Sequence, residues 1–346
     1  MTKINKNIDT INILSNKKLE HWLNLNVKNF KGPMNLKKIE GGQSNPTYLI
    51  TTDDKKYVLR SKPAGVLLNS AHAVDREFRI ISSLKETNVP VPKAFALCED
   101  TKIIGTIFFI MEYIEGRIFF DPTLPNLSNT ERKNIYCSMN KTISALHNVK
   151  FKNIGLQNYG KIGNYVSRQV KRWTEQYRAS ETEKIHEIEN LIGWIPKNIP
   201  NDKNTTLVHG DFRIDNLIFD PTKPIVIGVI DWEISTLGHP LADFAYHVMA
   251  WRLSKKEFRG LSDAPLNDLG IPNEKEYLQN YLKLTNQDYP ENWEFYLAYN
   301  MFRLAAILQG IKGRVRDGTA SSAEAERLGN LVQPVAKAGC SIIDKL

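Results

Sequence analysis

Only three cysteines occur in 346 residues: Cys98, Cys137 and Cys340, far apart and odd in number. They form no C-x-x-C pair and no zinc spacing. This excludes a disulfide framework and a structural zinc site, and points to a reducing compartment. No apolar run is long enough to span a bilayer. The longest, from Ile103 to Ile114, is broken by Gly105, Thr106 and Glu112. The opening stretch, MTKINKNIDTINILSNKK, has no apolar core segment and no small-residue cleavage site. A cytoplasmic chain with no membrane partner is therefore expected. Dense basic clusters are also missing. The net charge is +8, but the lysines come as scattered pairs such as Lys37-Lys38 and Lys55-Lys56, without interleaved aromatics. That argues against nucleic acid and leaves anionic small molecules as partners. No internal repeat or low-complexity linker is found, and the length suffices for about two domains.

The residues that are present concentrate their chemistry between Leu207 and Ala245: LVHGDFRIDNLIFDPTKPIVIGVIDWEISTLGHPLADFA. Leu217–Phe219 and Ile225–Ile230 read as apolar strands, with a turn opening at Asp220-Pro221. A hairpin of the two brings Asn216 and Asp231 to one end, with Asp211 on the loop leading in. Phosphoryl transfer needs this set. One carboxylate orients an attacking hydroxyl, and a carboxylate with an amide oxygen holds Mg²⁺ on the nucleotide phosphates. His209, Asp211 and Asn216 follow the H-x-D-x-x-x-x-N spacing of the kinase catalytic loop. Asp231 takes the D-F-G position, in the triplet Asp231-Trp232-Glu233. Any one of these aspartates alone reads better as a turn cap; the three in this order favour a site. His209 is read as a support of the loop, and Glu233 as a candidate for a second metal.

The N-terminal part predicts a short helix over Lys17–Phe30, ended by Gly32-Pro33. Strands are expected at Leu36–Ile39, Thr47–Thr52, Lys56–Arg60, Ala94–Glu99 and Ile107–Tyr113. Gly41, Gly42, Gln43, Ser44 and Asn45, between the first two strands, suit a phosphate cradle built of backbone N–H groups. Val58 and Arg60 share a strand face. Arg60 thus stands where V-A-I-K puts the phosphate-binding lysine. Lys62 is the competitor, although Pro63 argues that the strand stops before it. A helix over Ser70–Lys85 shows Val74, Phe78, Ile81 and Leu84 on its apolar face, with Glu77 inside the same arc. A carboxylate there needs a cation, and Arg60 is the candidate. The alternative is escape to solvent at the edge of the face.

From Asp121 onward the pattern turns helical. Ser128 and Glu131 form a capping box that opens a helix with Ile135, Met139, Ile143 and Leu146 on one face. Further helices are expected over 164–179, 183–194, 240–251, 274–284 and 293–311, and one terminal helix over 319–346. Trp293, Tyr296, Tyr299 and Phe302 read as core, with an aromatic cage for a choline-type acceptor as the alternative. Arg303, Lys312, Arg314 and Arg316 either face solvent or meet an anionic acceptor such as coenzyme A phosphates.

HGDFRIDNLIF, VIDWE, TLGHP and LADFAY, in this order, resemble the aminoglycoside phosphotransferase (choline kinase-like) branch of the protein-kinase fold. GGQSN, ALHNV, GLQNYG and RQVKRW resemble most closely the phosphotransferase domain that precedes the dehydrogenase in certain acyl-CoA dehydrogenase fusion proteins. The likeness runs from about Leu36 to Gly329. It implies an α+β, two-lobed protein-kinase-like fold: a small antiparallel sheet lobe with one main helix over residues 1–114, and a mostly helical lobe over 115–346. It implies ATP and Mg²⁺ as cofactors, with Asp211 as base and Asn216 and Asp231 on the metal. Glu112, Tyr113 and Ile114 would be a hinge whose backbone meets the adenine, and Asp243 would anchor the catalytic loop from behind. The implied acceptor is the hydroxyl of a hydroxyacyl-CoA or related hydroxy acid, with any acyl-CoA dehydrogenase acting as a separate chain. From Ala245 to the end, thirteen Lys/Arg face twelve Asp/Glu, which argues against a polycationic aminoglycoside. A kinase for choline, ethanolamine, homoserine or a sugar stays open. So does a nucleotide-binding pseudokinase, for which only the arginine at the lysine position speaks.

Overall fold

The computed structural model describes residues 13–39, 45–63, 74–201, 204–320 and 324–346. The chain divides into two compact units. The first comprises residues 1–86, 91–115 and 230–233; the second comprises 87–90, 116–229 and 234–346.

In the first unit α1 (Ile13–Asn26) is followed by β1 (Asn35–Lys38), β2 (Thr47–Thr51), β3 (Lys56–Ser61), α2 (Val74–Leu84), β4 (Ala94–Cys98) and β5 (Phe108–Glu112). The strands form one antiparallel sheet in the order β1-β2-β3-β5-β4. Alternation along β3 gives the sheet two occupied faces. Tyr57 and Leu59 join Leu19, Leu23, Val27 and Phe30 in a buried cluster with Ile50, Phe108 and Ile110. On the other face Phe109 meets Phe78 of α2, ring centroids 5.9 Å apart, and Arg60 meets Glu77. Ile80, Ile81 and Leu84 are fully buried, each worth on the order of 1.5–3 kcal/mol as an upper bound. Gly41, Gly42, Gln43 and Ser44 lie outside the described residues, as does the expected start of the second helix at Ser70.

The second unit holds two short hairpin-like pairs. β6 (Thr206–Val208) pairs with β9 (Thr236–Gly238), and β7 (Leu217–Phe219) with β8 (Val226–Val229). The second pair was legible as two apolar runs; the first was not. Around them run α3 (Asn129–His147), α4 (Tyr165–Ser180), α5 (His186–Trp194), α6 (Pro240–Val248), α7 (Lys255–Phe258) and α8 (Leu266–Leu269). They are followed by α9 (Glu274–Thr285), α10 (Trp293–Arg316), α11 (Ala325–Gly329) and α12 (Val332–Ile343). α3 begins at the expected capping box: Ser128 Oγ accepts from Glu131 N, and the Glu131 carboxylate accepts from Ser128 N. Ile135, Met139, Ile143 and Leu146 are all buried. Trp293, Tyr296, Tyr299 and Phe302 of α10 are buried as well, so they are core and not a cage. The expected single helix over 319–346 is corrected to α11 and α12. In a continuous helix the ring of Pro334 would strike the carbonyl of Asn330, whereas in the first turn of α12 it is tolerated. Among the described residues no helix is long and apolar enough to cross a membrane.

Candidate active site

In the second unit β6 leads into a loop, His209 to Asn216, that is fastened from two sides. The backbone N–H of His209 donates to Asp243 Oδ2 at 2.8 Å, and that of Gly210 to Asp243 Oδ1 at 2.7 Å. Asp243 sits in the first turn of α6, where a carboxylate is favoured. Burial pushes its carboxyl up, but His147, at 3.2 Å, and the His209 side more than offset this and hold it below the usual range. From the other side Arg303 of α10 donates to the Gly210 carbonyl at 2.6 Å and lies 4.5 Å over the Tyr246 ring. Gly210 has φ +85°, and a Cβ there would meet Ile234 at 3.1 Å, so the bend requires glycine.

Asp211 is held by its neighbours. Asn216 Nδ2 donates to the Asp211 carbonyl at 2.8 Å and to Asp211 Oδ2 at 3.0 Å. Two acceptors on one amide nitrogen fix the amide's orientation. Tyr246 Oη donates to Asp211 Oδ1 at 2.6 Å. Arg213 Nε lies 3.3 Å from the same oxygen, a charge contact without hydrogen-bond alignment. His209 Nδ1 accepts from the Asp211 N–H at 3.2 Å. Tyr246 was not read as a site residue, and Arg303, expected to face solvent or an anionic acceptor, is instead buried against the loop. The signal for Tyr246 was its i+3 spacing from Asp243, which puts both on one face of α6.

In the first unit Arg60 collects three carboxylates. Its Nε donates to Glu77 Oε2 at 2.6 Å and its Nη2 to Asp231 Oδ1 at 2.7 Å, while Glu233 Oε2 lies at 3.8 Å. Glu77 is 1% exposed, so it does not escape to solvent. Arg60, rather than Lys62, carries the ion pair. Burial pulls the guanidinium down, but Glu77, Asp231 and Glu233 outweigh it and leave it above its ordinary value. Burial, with smaller upward pushes from Asp231 and Glu233, outweighs the downward pull of Arg60 and leaves the Glu77 carboxyl at about 7. Asp231 itself adopts φ +65°, a left-handed conformation uncommon outside glycine. Asn45 Nδ2 donates to Glu233 Oε2 at 3.3 Å. At the expected hinge the Glu112 N–H is taken by the Lys93 carbonyl at 2.8 Å, and the Glu112 side chain by the Lys93 N–H at 3.1 Å.

Asn216 immediately precedes Leu217, whose register partner is Val229, and Asp231 follows Val229 by two residues. The donor chemistry of the two fits Mg²⁺. Asn216 spends its nitrogen on Asp211 and keeps its amide oxygen as a donor atom, and Asp231 offers a partly exposed carboxylate. Both are hard oxygen donors. Among the described residues no group of three or more His, Cys, Asp and Glu could hold a metal by itself. Magnesium needs no such cage, since it is commonly held by one or two carboxylates together with substrate phosphates.

Residues 35–277, which contain all of these side chains except Arg303, match the phosphotransferase enzyme family. The chain belongs to that family. This phosphotransferase is 49% identical over 310 residues to acyl-CoA dehydrogenase family member 10 of Mus musculus; the match covers 88% of the chain but only 29% of that relative's length. Among solved structures, an aminoglycoside phosphotransferase-like protein of Ralstonia eutropha superposes with a TM-score of 0.89 at 46% identity, over 95% of this chain and 98% of that one. The choline kinase of Cryptosporidium parvum superposes with a TM-score of 0.68 at 13% identity, over 95% and 96% of the two chains, which speaks for the fold alone. The fold of the phosphotransferase is thus α+β and protein-kinase-like, and the protein is an enzyme of the small-molecule kinase type. Three of its four C-terminal cations named above are engaged internally: Arg303 on the Gly210 carbonyl, Lys312 on Glu183 and Arg316 on Asp317.

Proposed function

We propose that this phosphotransferase moves the γ-phosphoryl group of ATP, with Mg²⁺, to the hydroxyl of a hydroxyacyl-CoA or related hydroxy acid in the cytoplasm. The observation that carries the reading is the state of Asp211, a carboxylate fixed on one oxygen by Asn216 and on the other by Tyr246. Such a group orients an incoming hydroxyl and accepts its proton as the oxygen attacks phosphorus and the bond to the leaving ADP breaks. Arg60, braced by Glu77, binds the nucleotide phosphates. Residues 41–45 cradle them, and the backbone from Glu112 to Ile114 meets the adenine. Asn216 and Asp231 hold the metal, which when bound offsets charge on the phosphates.

Two observations support the acceptor. The Mus musculus relative is named an acyl-CoA dehydrogenase family member and extends well beyond the matched part, so a hydroxyacyl thioester suits a reaction sequence shared with an acyl-CoA dehydrogenase. The C-terminal region carries balanced charge, thirteen Lys/Arg against twelve Asp/Glu, which speaks against a polycationic acceptor. The test is Mg²⁺-dependent ADP release across hydroxyacyl-CoAs, free hydroxy acids, choline, homoserine and aminoglycosides. Stimulation by the hydroxyacyl compounds, absent in Asp211→Asn, is expected. Stimulation by another class alone would overturn the acceptor. ATP binding without turnover on any acceptor would favour a pseudokinase.

A further inference from the structure

An apolar cavity of ≈ 60 Å³ lies beside the catalytic loop, walled by Met139, Met249, Ala250, Trp251, Leu253 and Phe258. Arg213 and Tyr246 border both this cavity and Asp211: each lines the cavity and each reaches an Asp211 carboxylate oxygen. The polar groups around it are already engaged. Tyr136 Oη donates to the Pro122 carbonyl at 2.6 Å and Trp251 Nε1 to the Pro272 carbonyl at 2.8 Å. His247 pairs with the Tyr277 hydroxyl at 2.9 Å, and burial pushes its imidazole down to about 4, so it is neutral near pH 7. The negative charge of Asp215 is matched by Arg213 at 3.1 Å and Arg259 at 2.6 Å. The wall therefore offers a sugar hydroxyl few free partners and a polycation no uncompensated anion. It does offer dispersion contacts and dry surface to a saturated chain.

We infer that this cavity receives the aliphatic tail of the acceptor while its hydroxyl faces Asp211. The inference rests on the proposed acceptor class and adds where the non-reacting part binds and how much of it fits. A volume of ≈ 60 Å³ holds about two waters at their share of liquid volume, room for a run of about two methylenes. Each methylene buried should raise kcat/KM about three- to fourfold until the cavity is full, after which the gain stops.

The experiment is kcat/KM along a series of hydroxyacyl-CoAs that lengthen by one carbon beyond the hydroxyl-bearing carbon. It uses the wild type, Ala250→Phe and Phe258→Ala, with ATP affinity measured for each. In Ala250→Phe, which fills the cavity, the gain per methylene is expected to vanish while the shortest acceptor stays within about twofold. In Phe258→Ala the plateau should move to longer chains. Phe258 is only partly buried, so that variant decides if Ala250→Phe does not fold. An unchanged length profile in a folded variant overturns the inference and leaves the hydroxyacyl acceptor standing. Failure of the wild type to phosphorylate any member of the series overturns both.

Discussion

Both oxygens of Asp211 are occupied from within its own unit, Oδ2 by Asn216 and Oδ1 by Tyr246, so the carboxylate has little freedom to turn. Asp211→Asn removes the base but keeps the shape. It should lower kcat by roughly 10²–10⁴ while nucleotide titration finds ATP affinity unchanged. Tyr246→Phe keeps the ring under Arg303 and deletes only the hydroxyl. A hydrogen bond to a charged group is at stake, so at least about tenfold in kcat should be lost, read from initial rates at saturating ATP. At this scale the sequence showed the groups that share one short segment. His209, Asp211 and Asn216 announce themselves by spacing, and Glu77 by standing in an apolar arc. Arg303 gave no such sign. Its partner, Gly210, is 93 residues away, and nothing in α10 marks a buried arginine until the fold supplies the carbonyl it binds.

α2 buries a carboxylate against β3, and the energetics of that contact depend on pH. The folded value of Glu77, about 7, lies above its ordinary 4.5, so the native state holds an extra proton between them. The contribution of this group to stability is full below about pH 4.5 and declines as pH rises through 7. His247 acts in the opposite sense, because its folded value near 4 lies below its ordinary 6.5. Comparing Glu77→Gln with wild type isolates the first effect. The difference in Tm, wild type minus variant, should fall as pH rises from 4.5 to 7 in buffered thermal melts. Ser128→Ala removes the cap of α3 and should cost about 1 kcal/mol in denaturant unfolding, with kcat unchanged. Elements were legible where a pattern had room to repeat or a terminus carried its own chemistry, as in α3 and the sheet strands. The three-residue β7 was legible through the Asp220-Pro221 turn that follows it and the apolar run of its nearby partner, whereas the equally short β6 and β9 escaped notice because their pairing joins distant segments. The break between α11 and α12 was readable in principle at Pro334.

The chain as a whole is basic, yet its catalytic surroundings are not a simple positive field. Arg213 and Arg259 are matched by Asp215, and Arg60 by Glu77, Asp231 and Glu233. Added aminoglycosides should therefore leave Mg²⁺-dependent ADP release at its background rate. Mg²⁺-ATP bound to the native state alone should stabilise it by about 2.7 kcal/mol at a hundred times Kd, seen as a rise in Tm. Arg60→Ala should lose most of that rise. The clasp of Asp243 and Arg303 on the catalytic loop has a consequence for hydrogen exchange. A loop of this kind would ordinarily trade its amide hydrogens with solvent quickly. Here the N–H groups of His209 and Gly210 end on a buried carboxylate. Their hydrogens should be among the last replaced by deuterium, released on the same timescale as those in the middle of α10, when the unit itself unfolds.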